Sequence, residues 1–199
     1  KGVRWLVNVD QGFRAPNLDD LTSRQQTGAG YQGENPDLRP EKAISMESGV
    51  KVDLPRVELA LFGFETHIHD MIARAPIDKQ QCPPGGETGC AGSRVAFELT
   101  NLDGTAVLRG FDGAIRLFLP AGFGLRTALA YAWGEGQNPV PGGVPPRSPL
   151  SRVPPLNGTA EVSWRRSGVY LAAALRWARL QDRLAISDVS DQRSPKGAT

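Results

Sequence analysis

The sequence predicts an all-β fold: an arc of antiparallel transmembrane β-barrel wall, about seven strands of a larger barrel. Three observations carry the prediction. Side chains alternate with period two along the candidate strands, the connections alternate between tight and long, and the aromatic residues gather at two levels. A strand turns successive side chains to opposite faces, so each segment can be tested for two distinct faces.

In chain order, Val3, Trp5, Val7 and Val9 oppose Arg4, Asn8 and Asp10, and Ile44, Met46, Val50 and Val52 oppose Glu47, Lys51 and Asp53. The third segment, residues 56–72, places Val57, Leu59 and Leu61 on one face and then Phe62, Phe64 and Ile68 on the other. That change of face near Gly63 predicts a β-bulge. Phe111, Ile115, Leu117 and Leu119 then oppose Asp112 and Arg116. Residues 124–134 set Leu125, Thr127, Leu129, Tyr131 and Trp133 against Gly124, Arg126, Ala128, Ala130 and Ala132. The sixth segment opposes Leu156, Gly158, Ala160, Val162 and Trp164 to Asn157, Thr159, Glu161, Ser163 and Arg165. In the seventh, Val169, Leu171, Ala173, Leu175 and Trp177 face away from Tyr170, Ala172, Ala174, Arg176 and Ala178.

The connections at residues 53–56, 120–123 and 165–168 are tight, whereas those near 17–42, 73–94, 135–155 and 181–197 are long and polar or rich in glycine and proline. Short and long take turns, as they do when one end of a barrel carries minimal turns and the other carries outward loops free to grow. With the tight turns inside, Trp5 and Trp164 fall near the inner membrane interface and Tyr131, Trp133 and Trp177 near the outer one, where such rings are favoured. The opposite face, with its glycine, alanine, arginine and glutamate, implies a wet or plugged lumen. A soluble β-sandwich used for adhesion or carbohydrate binding is the competing reading of the strands, but it gives no reason for the asymmetric connections.

Composition narrows the function. A net charge of +2, from 23 basic and 21 acidic residues, leaves no electrostatic footprint for nucleic acid. No run of about 18 apolar residues exists, so no helix is predicted to span a membrane. The two cysteines, Cys82 and Cys90, lie in a proline- and glycine-rich stretch and predict a local disulfide in an oxidising space, with two free thiols as the alternative. His67 and His69 sit elsewhere, short of the roughly four ligands of a structural zinc site. Neither Asp19 and Asp20 nor Asp188 and Asp191 supply the six or more oxygens of a calcium site. No nucleophile, base and orienter set and no phosphate cradle appears, so the chain reads as no enzyme, with no cofactor and no metal.

Gly12-Phe13-Arg14-Ala15-Pro16-Asn17-Leu18, followed by Asn35-Pro36-Asp37-Leu38-Arg39-Pro40-Glu41 and Glu47-Ser48-Gly49, resembles the barrel domain of TonB-dependent receptors. Ile68-His69-Asp70-Met71-Ile72 resembles a strand of that family, and Thr100-Asn101-Leu102 with Arg109-Gly110-Phe111-Asp112 stands where the family usually has asparagine and then Gly-x-Glu. Ser151-Arg152-Val153-Pro154-Pro155 and Ser190-Asp191-Gln192-Arg193 with Gly197 are also similar. The resemblance implies a roughly 22-stranded barrel of the Gram-negative outer membrane, in contact with its lipid and closed by an N-terminal plug. It also implies uptake of a scarce nutrient energised by TonB. The start at Lys1 and the end at Thr199 read as cuts within a longer chain, with the plug and the final strands outside residues 1–199.

Within that family the sequence favours a small ferric siderophore-type chelate over haem or cobalamin. The haem branch is expected to carry a ligating histidine between the two boxes, and none stands between Pro16 and Asn35; Tyr31 is the one aromatic iron-ligand type there. The outward loops offer Arg24, Tyr31, Arg39 and Arg147 as candidate ligand contacts, with Arg152 as a further loop cation for an anionic chelate.

Overall fold

The computed structural model describes residues 2–78, 80, 82, 89–93 and 95–190. In chain order its elements are β1 (Gly2–Arg14), α1 (Leu18–Thr22), β2 (Gln25–Thr27), β3 (Gly30–Gly33), β4 (Glu41–Leu54), β5 (Val57–His69), β6 (Ile72–Pro76), β7 (Ala96–Asn101), β8 (Thr105–Phe118), β9 (Phe123–Gln137), β10 (Arg147–Pro149), β11 (Asn157–Arg166), β12 (Val169–Ala178) and α2 (Ile186–Ser190). Seven strands form an antiparallel wall in the order β1-β4-β5-β8-β9-β11-β12, and β10 extends it by pairing with the outer end of β9. The expected strands are thus all present, most of them longer than the alternation alone had marked.

Register shows how the two faces are built. Trp5 pairs with Val50, Val50 with Leu61, Leu59 with Ile115, Ile115 with Thr127, Leu125 with Val162 and Val162 with Ala173. Paired residues share a face, so these pairs trace one continuous apolar surface across all seven strands. Its side chains are open: Trp5 is 74% exposed, Val7 68% and Leu175 65%. A surface this apolar on a water-soluble protein would be an aggregation site; it is the surface that hydrocarbon covers in a barrel. The other face pairs Arg116 with Arg126 and Arg126 with Glu161, and Arg116 Nη1 donates to Glu58 Oε2 at 3.1 Å.

The bulge expected near Gly63 is absent. Pairing runs without interruption from Lys42–His69 to Leu54–Val57 on one side of β5 and from Val57–Leu117 to His69–Thr105 on the other. Phe62 and Phe64 turn inward instead, each over a glycine of a neighbouring strand. A Cβ added at Gly110 would lie 2.8 Å from Phe64 Cζ, and one added at Gly49 would strike the Phe62 ring. Aromatic rings covering glycines in this way hold adjacent strands together, and they imitate a change of face in the sequence. The outward row of β5 becomes polar beyond Gly63 for a different reason. Thirteen residues, at about 3.4 Å each and tilted by about 40°, rise about 34 Å, which exceeds an apolar band of about 25 Å. Glu65, His67 and His69 therefore stand clear of the hydrocarbon.

The tight turns share one end of the wall. Ser167 and Gly168 both have positive φ (49° and 82°), the two-residue turn whose twist matches the strands it joins. At Pro120–Gly122 a 3-10 turn takes Ala121 and Gly122 to positive φ, and a Cβ on Gly122 would collide with the Arg165 carbonyl. Trp164 Nε1 donates to Ala121 O at 3.1 Å, fixing this turn to β11 at the inner interface.

Buried residues lie almost entirely at the opposite end. Tyr31, Leu38, Ile72, Cys90, Phe97, Leu102, Leu150 and Ala185 belong to the long connections or their margins, where a second sheet, β2-β3-β7-β6, forms a cap. Residues 83–88 of the cysteine loop lie outside the described residues, as do Asp191, Gln192, Arg193 and Gly197 of the last motif.

Candidate functional site

The outer cap is built from four connections tied together by polar side chains. After β1, Asn17 caps α1 by accepting from Asp20 N at 2.7 Å, and Asp20 Oδ2 accepts in return from Asn17 N at 3.1 Å. The same Asp20 oxygen receives Arg14 Nη2 at 2.9 Å, and Arg14 Nη1 lies 3.4 Å from Glu41 Oε2. Glu41 Oε1 accepts from Ile72 N at 2.6 Å. Arg14, Asp20 and Glu41 therefore form a joint between the first and second connections. A second joint uses Asn101, whose Oδ1 accepts from Arg39 N at 2.7 Å while its Nδ2 donates to Arg39 O at 2.9 Å and Asp70 O at 2.7 Å. Arg39 Nη2 then reaches Asp70 Oδ1 at 2.7 Å. Asn35 completes the set by donating to Leu99 O at 2.9 Å and accepting from Asp37 N at 3.0 Å.

Backbone pairing closes the cap above these joints. β3 runs parallel to β7, with Tyr31, Gln32 and Gly33 opposite Ala96, Phe97 and Glu98. Gly30 has φ 140° and its position leaves no room for a Cβ beside Val95. Cys82 and Cys90 form a disulfide with an S–S length of 2.04 Å, and Cys90 packs with Ala96 against Tyr31.

The sequence-derived ligand contacts are placed as follows. Tyr31 is completely buried, so its ring fills the cap core and does not face a ligand. Arg24 is exposed and paired with Glu34; the hydrogen bond from Arg24 holds the Glu34 carboxyl below the usual glutamate range, and the same contact raises Arg24. Arg39 is committed to Asp70, and Arg147 lies 3.6 Å from Glu135 on the outward side of the wall. Phe13 faces outward, while Ala15, Pro16, Pro36 and Leu38 belong to the scaffold of the first connection.

A cavity of about 350 Å³ opens between all four connections instead. The third connection folds inward to form one wall: Leu150 and Val153 lie over Gly134 and Gly136, glycines of the luminal face. Arg14, Arg74 and Arg152 line the cavity with Asp20 as the single carboxylate of its lining, beside Gln32, Ser148 and Ser151. Arg152, at φ 61°, sits in the left-handed region that few non-glycine residues adopt. Arg74 lies over the Phe97 ring at 5.0 Å. Arg74 falls inside a predicted long loop with no distinguishing pattern, so its place here is not legible in the sequence.

A family model described as TonB dependent receptor-like, beta-barrel, matches residues 1–196. The chain belongs to that family. A curated relative, the vitamin B12 transporter BtuB of Vibrio vulnificus, is 33% identical over 84 residues, which cover 42% of this chain and 12% of the relative. Among solved structures, the copper transporter OprC superposes with TM-score 0.71 at 18% identity, over 93% of this chain and 25% of that one. The ferric enterobactin receptor PfeA of Pseudomonas aeruginosa gives 0.61 at 20%, over 90% and 26%. The Serratia marcescens hemophore receptor HasR, solved with its hemophore and heme, gives 0.63 at 15%, over 88% and 30%. These likenesses show the fold, and the chain spans 25%, 26% and 30% of these three structures. Membership makes the chain part of a receptor of the Gram-negative outer membrane, in a family of receptors and transporters and not of enzymes.

Proposed function

We propose that the chain forms wall and outer cap of a receptor that takes up an anionic ferric chelate of the siderophore type. In this reading the plug lies elsewhere in the protein, within the lumen, and TonB supplies the energy. The cavity carries the proposal: Arg152 and Arg74 join Arg14 and its partner Asp20 at the mouth of the lumen, with contributions from all four outer connections. Arginine suits such cargo because its planar fork meets carboxylate, catecholate and hydroxamate oxygens with paired donors. The missing histidine between Pro16 and Asn35 weighs against haem.

Cobalamin is the second reading, favoured by the identity to the vitamin B12 transporter over 84 residues. Equilibrium binding of ferric enterobactin, a ferric hydroxamate, haem and cyanocobalamin to the full-length receptor separates the readings. A ferric chelate is expected to bind at least tenfold more tightly than the others, and Arg152→Gln to weaken it by about tenfold. Tighter binding of cobalamin, or no effect of Arg152→Gln, overturns the proposal.

A further inference from the structure

The cap sheet has two faces of different character. Tyr31 on β3 and Ala96 on β7 pair with each other and pack with Cys90 of the disulfide, so that face is closed. Gln32 pairs with Phe97, Phe97 with Pro76, and Leu99 with Arg74, which sets these residues on the opposite face by the alternation of strands. That face floors two chambers. Gln32, Leu99 and Arg74 line the cavity of about 350 Å³, while Arg74, Phe97 and Pro76 continue beneath a smaller annex of about 100 Å³. Ala29, Val95 and Ile186 complete the annex, and because Arg74, Ile186 and Ser187 line both chambers, the annex opens on the cavity. Ser151 Oγ donates to Asp188 Oδ1 at 2.6 Å, which ties α2, the wall common to both, to the third connection.

We infer that the annex takes the edge of an aromatic ring carried by the chelate, so that the receptor favours cargo whose iron-binding oxygens stand on rings, as in catecholates. The inference rests on the reading of the larger cavity as the seat of an anionic ferric chelate. In such a complex the ring oxygens face the metal and the opposite ring edge points outward. With the iron in the cavity, that edge enters the annex and the oxygens stay at its mouth beside Arg74. The size suits this occupant: a dry cavity of about 150 Å³ encloses a whole benzene, so about 100 Å³ admits most of one ring while its oxygens remain outside. Arg74 lies 5.0 Å over the Phe97 ring, and a ring in the annex gains an aromatic contact from one and a cation–π contact from the other. Phe97 is only 4% exposed, so its ring is fixed before the ligand arrives. No carboxylate stands among the described lining residues of the annex to repel the ring oxygens.

The test compares equilibrium binding of two anionic chelates to the full-length receptor: ferric enterobactin, built on catecholate rings, and ferric dicitrate, which has none. Wild type is expected to favour ferric enterobactin by about tenfold or more, the worth of one buried aromatic contact. This comparison requires no variant to fold. Ala29→Leu fills the annex and is expected to bring the ratio of the two affinities close to one. Phe97→Leu keeps the annex apolar but removes the ring, and is expected to lower the ratio by about threefold or more. Equal binding of the two chelates by wild type, or an unchanged ratio in both variants, overturns the inference and leaves the anionic-chelate reading standing. Tighter binding of cyanocobalamin than of either chelate overturns that reading and this inference with it. A ring-free ferric chelate with an acyl tail that matches ferric enterobactin, and loses affinity in Ala29→Leu, assigns the annex to an alkyl chain and also overturns the inference.

Discussion

Arg39 and Asn101, 62 residues apart in the chain, exchange a reciprocal pair of hydrogen bonds: Arg39 N donates to Asn101 Oδ1 at 2.7 Å, and Asn101 Nδ2 returns one to Arg39 O at 2.9 Å. One side chain thus satisfies both main-chain groups of a residue in another loop. Asn101→Ala removes this exchange and the bond to Asp70 O, leaving three main-chain groups without their partner. Each lost bond costs about 1 kcal/mol, so the cap is expected to loosen by about 2–3 kcal/mol. Limited proteolysis of the intact receptor would show faster cleavage within residues 15–40, and an unchanged rate would refute the joint.

The joint at Glu41 should depend on charge as well as geometry. Glu41→Gln keeps an acceptor for Ile72 N but loses the attraction to Arg14, whereas Glu41→Ala loses both. Nutrient affinity is expected to fall in the order wild type, Glu41→Gln, Glu41→Ala, because Arg14 lines the cavity. Equal affinities for all three would detach this joint from binding.

Reduction of the Cys82–Cys90 bridge, or its replacement by serines, frees a loop of sequence separation 8. Loop-closure entropy puts the loss at about 2–3 kcal/mol. Chymotryptic cleavage at Tyr31, which is completely buried beneath Cys90, is the readout. Protection that persists after reduction counts against the packing described above.

Gly110→Ala and Gly12→Ala test the luminal aromatics. At Gly110 an added methyl meets Phe64 and the Tyr131 carbonyl; at Gly12 it meets nothing within 4 Å. Overpacking of this kind costs about 1–3 kcal/mol. Heat-modifiable electrophoretic mobility of the receptor should show a lower melting temperature for Gly110→Ala alone, and equal shifts would argue against the contact.

Protonation of Glu34 should occur at lower pH than that of an ordinary glutamate, since Arg24 donates to its charged form. A carboxyl whose folded value is depressed stabilises the fold above its unfolded value, and that contribution disappears as pH falls through the folded one. Carbon NMR of labelled glutamate would locate this titration below the glutamate range in wild type and return it to that range in Arg24→Gln. No difference between the two proteins would refute the pairing.

The wall was legible in the sequence because few of its side chains are buried. Within the apolar band a wall residue faces hydrocarbon or lumen, and a period of two reports the choice directly, as Leu125, Leu129 and Trp133 do. Phe62 and Phe64 misled because large apolar side chains face the lumen there, and the cause lies on other strands, in Gly49 and Gly110. The cap was hidden for a different reason. β2 and β10 are three residues long, too short for any period to show, and β3 finds its partner in β7 more than sixty positions away. Tyr31 looked like an exposed loop residue because its neighbours Gly30, Gln32 and Gly33 are polar or small; it is the distant Ala96 and Cys90 that bury it.

Because β3 and β7 are joined through main-chain groups, their register does not depend on the exposed side chains of the loops around them. Exposed positions such as Gln25 and Gly28 can be substituted while β3 and β7 keep their register. The outward surface of the cap can therefore vary while this main-chain pairing stays the same.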